Sequence, residues 1–252
     1  MIKNLFLLIF IFVFISGNLT ANTINHPNLK AHEAIYNLKI GNVTNYSKIH
    51  NANGQMYLSI NYVCDGWVIN QNTTIDITDK NGSQSRNTFR YSTWESIDHT
   101  MFRFMSKVNI NGEEVSAYEG ESFITNDVAK IIYTYPYNKE IIIPIETLYP
   151  MKHFLISLDS KKLGIFSNYI VFSGEDDDSL NNVSTFTINS GKFTKVRSAN
   201  FSYNDALIKP ENEIEILVSP DTGVVQKVIF DYFDYQIVGD LKDIKYYNEP
   251  NC

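Results

Sequence analysis

Charge is what this sequence has least of. Only 19% of its 252 residues are Asp, Glu, Lys or Arg, the net is −7, and no basic run occurs. A net-negative chain without a Lys/Arg cluster is a poor partner for a phosphate backbone, which sets nucleic acid aside. Catalytic fingerprints are missing too: there is no Gly-x-Ser-x-Gly, no phosphate-cradling glycine loop and no dinucleotide-binding motif. The five histidines (His26, His32, His50, His99, His153) include no i, i+4 helical pair, no His-x-His and no Glu-x-x-His. Neither a metal nor any other cofactor is therefore expected. No Pro/Ser-rich linker or composition break divides the chain.

Long apolar runs are confined to the start. Lys3 precedes the unbroken run Leu5 to Ile15, and the polar stretch Ser16-Gly17-Asn18-Leu19-Thr20-Ala21 follows. Such a run is too short for a ~30 Å hydrocarbon core but has the form of a secretory leader. Residues 1–21 are expected to be a cleaved signal peptide and 22–252 a single domain, not membrane-spanning after cleavage. Removing Lys3 with the leader leaves a net charge of about −8.

Cysteines are also few. Cys64, in Cys64-Asp65-Gly66-Trp67, and Cys252, the last residue, are the only two. Both follow the leader, and in an exported chain a disulfide is their natural reading. The rival role, a catalytic thiol, is poorly served by a cysteine at the chain end.

What the sequence has in quantity is β-forming material, including 16 Tyr and 16 Phe. Apolar and polar residues alternate in Ala34-Tyr36-Leu38-Ile40, in Met56-Leu58-Ile60-Tyr62, in Phe102-Phe104-Val108-Ile110 and in Ile214-Ile216-Val218. Period two marks half-buried strands. Asn53-Gly54, Asn81-Gly82, Asn111-Gly112, Ser190-Gly191 and Asp221-Thr222-Gly223 read as turns between them. The expected fold is all-β and mainly antiparallel: a closed or spiral barrel of more than ten strands. One amphipathic helix is expected near 150–162. Met151, Phe154, Leu155 and Leu158 have helical spacing, Pro150 suits a first turn, and Gly164 follows as a stop. Such a helix either plugs the mouth of the sheet or lies on its outside.

Individual residues carry little chemistry by themselves. Glu175-Asp176-Asp177-Asp178 lacks the ligand spacing of a calcium loop and reads as a solvated acidic loop. Trp67, beside Cys64, suits packing against a disulfide. Trp94, Phe102 and Phe104 are candidates to line a barrel cavity or fill its core. His153, on the helix, is the best single functional histidine. Paired with a carboxylate such as Glu95, it would serve a hydrolase only if the two side chains converged.

Taken in order, the segments resemble the periplasmic cell-envelope integrity proteins of the EipB type. The resemblance runs through His32-Glu33-Ala34-Ile35-Tyr36-Asn37-Leu38, Cys64-Asp65-Gly66-Trp67, Thr93-Trp94-Glu95 and Phe102-Arg103-Phe104. It continues in Thr147-Leu148-Tyr149-Pro150 with His153, Val171-Phe172-Ser173-Gly174, Gly223-Val224, Asp231-Tyr232-Phe233 and the closing Cys252. Two positions depart from the pattern: Asp98-His99 stands where the family has Asp-Gly, and a later tryptophan is missing near Lys195-Val196-Arg197. The resemblance implies a monomeric β-spiral of some fourteen strands, shaped like lipocalins and lipoprotein carriers, with a Cys64–Cys252 disulfide. It further implies a non-enzymatic periplasmic protein of Gram-negative bacteria, one that maintains the envelope under stress by binding a protein, lipid or envelope polymer. The alternatives are a lipid or lipoprotein carrier with an apolar cavity and, last, an envelope hydrolase.

Overall fold

The computed structural model describes residues 29–204, 209–248 and 252. The expected leader lies outside the described residues. Among the described residues, fourteen strands follow one another. The first eight are β1 (His32–Val43), β2 (Ile49–Val63), β3 (Gly66–Asp79), β4 (Gln84–Ser96), β5 (Met101–Ile110), β6 (Glu113–Ile124), β7 (Ala129–Tyr135) and β8 (Lys139–Ile143). A helix, α1 (Pro150–Ser157), and a 3-10 turn (Ser160–Lys162) come next. The second run is β9 (Phe166–Phe172), β10 (Leu180–Ser190), β11 (Phe193–Ser202), β12 (Asn212–Val218), β13 (Val225–Asp231) and β14 (Tyr235–Tyr246).

All fourteen belong to one sheet in the order β8-β7-β6-β5-β4-β3-β2-β1-β14-β13-β12-β11-β10-β9. Neighbours are antiparallel, as short connections demand. The single non-sequential pairing is β1 with β14, where the end of the chain returns to its beginning. The sheet's two edges are β8 and β9, and they do not pair as a ladder. The segment between them fills the gap: Leu148 bridges Val171 of β9, and Leu163 bridges Thr187 of β10.

Burial shows how the sheet rolls. Ala52, Met56, Ile75 and Ile77 of β2 and β3 pack with Ile214, Val228, Phe230 and Ile237 of β12 to β14. Phe102, Phe104, Ile131, Tyr133 and Ile143 of β5, β7 and β8 pack with Phe172 and Leu180 of β9 and β10. Strands far apart in the sheet thus share one interior, the geometry of a spiral barrel. The outer face carries cross-strand ion pairs such as Arg86–Asp76 (2.7 Å) and Lys39–Asp240 (2.6 Å). Each is exposed and screened by solvent, so it contributes little to stability.

The turns at Asn81-Gly82, Asn111-Gly112, Ser190-Gly191 and Thr222-Gly223 form, each glycine having a positive φ. Asn53-Gly54 does not turn; it lies inside β2, paired to β1 and β3. The glycine there serves a close approach, since a Cβ at 54 would stand 2.1 Å from the Thr74 carbonyl oxygen. The helix is shorter than expected, ending at Ser157 rather than near 162. Asp159 breaks it: extended in backbone, it accepts from Lys161 N (2.9 Å) and starts the separate 3-10 turn.

Helix α1 plugs one end of the spiral. Met151 and Leu155 are buried against Ile60 of β2 and Trp67 of β3. On its other side, His153 Nε2 reaches Thr185 Oγ1 of β10 (3.0 Å), and Thr187 Oγ1 donates to Ser157 O (2.8 Å). Pro150 opens the helix, and Tyr149 before it offers no side-chain cap. Glu95 of β4 does that work from outside: its carboxylate accepts from Met151 N (2.8 Å) and Lys152 N (2.9 Å). An anion at the positive end of the helix satisfies two otherwise orphaned donors.

Candidate ligand cavity

Toward the end opposite α1 the spiral is hollow. A cavity of about 410 Å³ opens there, within the range of small-molecule sites. Its apolar wall comes from alternate residues of strands on both sides of the roll: Leu38, Met56, Ile75, Ile77 and Phe89 on one side, Ile214, Phe230 and Ile237 on the other. Among the described residues its polar groups are neutral (Gln71, Thr73, Asn87, Asn212, Tyr232, Tyr235), with one exception, Glu175. Gln71 Nε2 donates to Thr73 Oγ1 (3.1 Å), and Asn200 Nδ2 donates to Asn212 Oδ1 (2.7 Å).

Glu175 enters the hollow from the β9–β10 connection. That connection is held to the inside of the barrel by hydroxyls: Ser106 donates to Glu175 O (2.6 Å), Tyr133 to Asp176 O (3.0 Å) and Ser179 to Asp176 O (2.8 Å). Tyr91 donates to Ser173 O, and Tyr137 to Asp177 Oδ2 (2.7 Å). Gly174, with φ 71°, makes the turn possible, because a Cβ there would lie 2.5 Å from Phe104 Cγ. The expected acidic loop is therefore solvent-accessible but firmly seated. Solvent reaches the Glu175 side chain through the hollow, yet protein surrounds it. Loss of bulk water, and next the negative charge of Asp176, push its carboxyl up to about 7. No described residue donates a hydrogen bond to that carboxyl.

The aromatic candidates lie elsewhere. Phe102 and Phe104 are not cavity-lining; they form a solid cluster in which Phe102 stacks on Tyr149 (5.0 Å) and Phe104 meets Phe172 edge-on (5.3 Å). Trp94 faces outward, under the Arg103 guanidinium (5.2 Å) that stands opposite it on β5. Its neighbours Thr93 and Glu95 take the inner positions, so strand alternation decides the matter. Trp67 is buried between Tyr62 (ring centres 5.0 Å apart) and the helix residues Met151 and Leu155.

His153 and Glu95 do not form a dyad. Glu95 spends its oxygens on the helix N-terminus and on His99 Nδ1 (2.5 Å), while His153 points to Thr185 and packs edge-on against Tyr169. Burial pulls the His153 imidazole down to about 4, so it is neutral at pH 7. Among the described residues no cluster of three or more His, Cys, Asp or Glu is placed to hold a metal. Sequence reasoning missed Glu175 as a site residue. The signal was Ser173-Gly174 before it: a positive-φ turn folds the acidic run back toward the barrel instead of away.

Cys64, in the β2–β3 turn, and Cys252 are joined by a disulfide, with Cα atoms 5.6 Å apart. No helix among the described residues is long and apolar enough to cross a membrane. A rolled fourteen-strand antiparallel sheet, plugged by one helix and hollow at the far end, defines a β-barrel-like protein of the spiral kind. Residues 23–219 match the EipB-like family, and the chain belongs to it. Among solved structures it is similar to the beta-barrel-like protein of domain of unknown function DUF1849 from Brucella abortus, with a TM-score of 0.80 and 20% identity. That likeness covers 88% of this chain and 99% of the other. No curated protein matches.

Proposed function

We propose that this chain is an exported, non-enzymatic protein that helps keep the cell envelope intact by binding a ligand inside its spiral barrel. The observation that carries this reading is the open, apolar hollow of about 410 Å³ at the unplugged end. A fold made only to pack would close such a space, since interiors are otherwise filled to crystal-like density. Family membership favours the envelope role, and the leader-like start together with the disulfide favours the periplasm, where such bonds persist. A monomer suffices for the role, because the hollow is built by one chain.

Carriage of lipoproteins is the second reading, and volume argues against its usual form. At ~30 Å³ for a water-sized group, the hollow takes about fourteen such groups, about one acyl chain, which leaves no room for a multiply acylated anchor. The test has two arms. A strain lacking the protein should lose resistance to detergent and to cell-wall antibiotics, and the purified protein should bind a single-chain amphiphile by calorimetry. Full resistance in the deletion strain sinks the envelope role; absence of binding sinks the ligand role.

A further inference from the structure

Resting on that ligand-binding reading, we propose that the hollow selects a cationic single-chain amphiphile, an alkyl ammonium compound, by seating its head group on the Glu175 carboxylate. The argument starts from the wall. Among the described residues, Glu175 is the one charged residue lining the hollow, and no described Lys, Arg or His contributes to it. Its carboxyl, with no donor among the described residues, shares the hollow with apolar and neutral polar side chains, so a cation is the head group its ionised form attracts. An anionic head group meets the opposite situation, because Asp176, Asp177 and Asp178 follow directly on the same loop.

Aromatic faces support the same choice. Phe89, Phe230, Tyr232 and Tyr235 line the same hollow, the last two stacked with ring centres 5.0 Å apart. Ring faces attract ammonium groups, most strongly where water is partly excluded. The apolar wall beyond them takes the tail. The tail length follows from the volume, since about fourteen water-sized groups correspond to a chain near twelve carbons plus a small head.

The pH dependence has a definite sign. The groups facing Glu175 that titrate are Asp176 beside it, Tyr91 from β4, and Tyr232 with Tyr235 at the β13–β14 turn. Burial raises the three tyrosines above their ordinary value, so they stay neutral between pH 6 and 8. The Glu175 carboxyl, at about 7, changes charge in that window. A permanent cation that needs the ionised form should bind about tenfold tighter at pH 8 than at pH 6.

The experiment uses the leader-free chain with its disulfide intact and three probes below their critical micelle concentrations. These are dodecyltrimethylammonium, dodecyl maltoside and laurate, each titrated calorimetrically at pH 6 and 8. The ammonium probe should bind about tenfold tighter than laurate and show the pH rise, and Glu175→Gln should remove both differences. If Glu175→Gln fails to fold by circular dichroism, the wild-type preference for the ammonium probe over laurate and dodecyl maltoside at pH 8 decides. Equal binding of all three probes, or a preference for laurate, overturns the ammonium assignment and leaves the ligand-binding reading standing. Binding of none overturns both.

Discussion

Glu95 is the side chain on which most of the plugged end converges. It lies on β4 facing inward, is almost fully buried, and holds two helix N–H groups and His99 at once. Glu95→Ala leaves those donors buried without an acceptor and should cost about 3 kcal/mol in urea unfolding. Glu95→Gln, which keeps an acceptor oxygen, should cost clearly less; equal losses for the two would mean that lost packing, not lost hydrogen bonding, dominates. The Asp98-His99 departure is explained at the same spot: His99 keeps a left-handed backbone (φ 58°), the conformation glycine takes freely, and uses its ring to contact Glu95. His153 supplies a pH signature. Its pKa is about 4 folded against 6.5 for an ordinary histidine, so the unfolded chain binds the extra proton between those values. Stability from this group is complete above pH 6.5 and is lost as pH falls through about 4, by about 3 kcal/mol in all. His153→Gln should flatten that part of a stability-against-pH curve; an unchanged slope would show that the ring is protonated in the folded state.

At the scale of elements, the strands were the most readable part, because alternation such as Ala34-Tyr36-Leu38 maps directly onto one buried face. Turn chemistry was readable where the glycine needs a positive φ, as at Gly112, and misleading at Gly54, where it permits a close strand approach. Alternation alone does not say which strand lies across the roll from which. The solid aromatic cluster at Phe102 and the hollow at Phe89 thus look alike in sequence, although the two rings lie on adjacent strands. The β9–β10 connection shows the same limit: its acids suggest water, and only the hydroxyls of Ser106, Tyr133 and Tyr91, remote in sequence, turn it inward. That seating rests on Gly174, which makes a sharp test. Gly174→Ala meets both a positive φ and the Phe104 ring, and should destabilise by about 3 kcal/mol. Weaker binding of the preferred amphiphile should accompany it if Glu175 is displaced. A neutral substitution would mean that the connection relaxes without cost.

For the whole molecule, the two ends of the spiral have different work. At one end, α1, the β2–β3 turn and the chain terminus come together: Tyr247 N donates to Ala31 O (2.9 Å), Tyr247 Oη to Glu33 Oε2 (2.6 Å), and Cys252 closes on Cys64. The disulfide thus staples the exit of β14 across β1 to the β2–β3 turn. The cysteines are 188 residues apart, and restricting so long a loop in the unfolded chain accounts for up to about 5 kcal/mol of stability in the chain-entropy model. The hollow lies toward the opposite end, between Ile77 and Asn87 on one side and Asn212 and Tyr235 on the other. Reduction acts chiefly on the unfolded ensemble and on the stapled end, and leaves the walls of the hollow paired as before. Dithiothreitol or Cys252→Ser should therefore lower the urea midpoint substantially while changing the calorimetric affinity for the amphiphile by less than about twofold in native buffer. Hydrogen exchange should speed first at Ala31 to Glu33 and Ile244 to Tyr247. An unchanged midpoint would show that the bond carries no stabilisation, and a collapse of binding with it would show that the two ends are one cooperative unit.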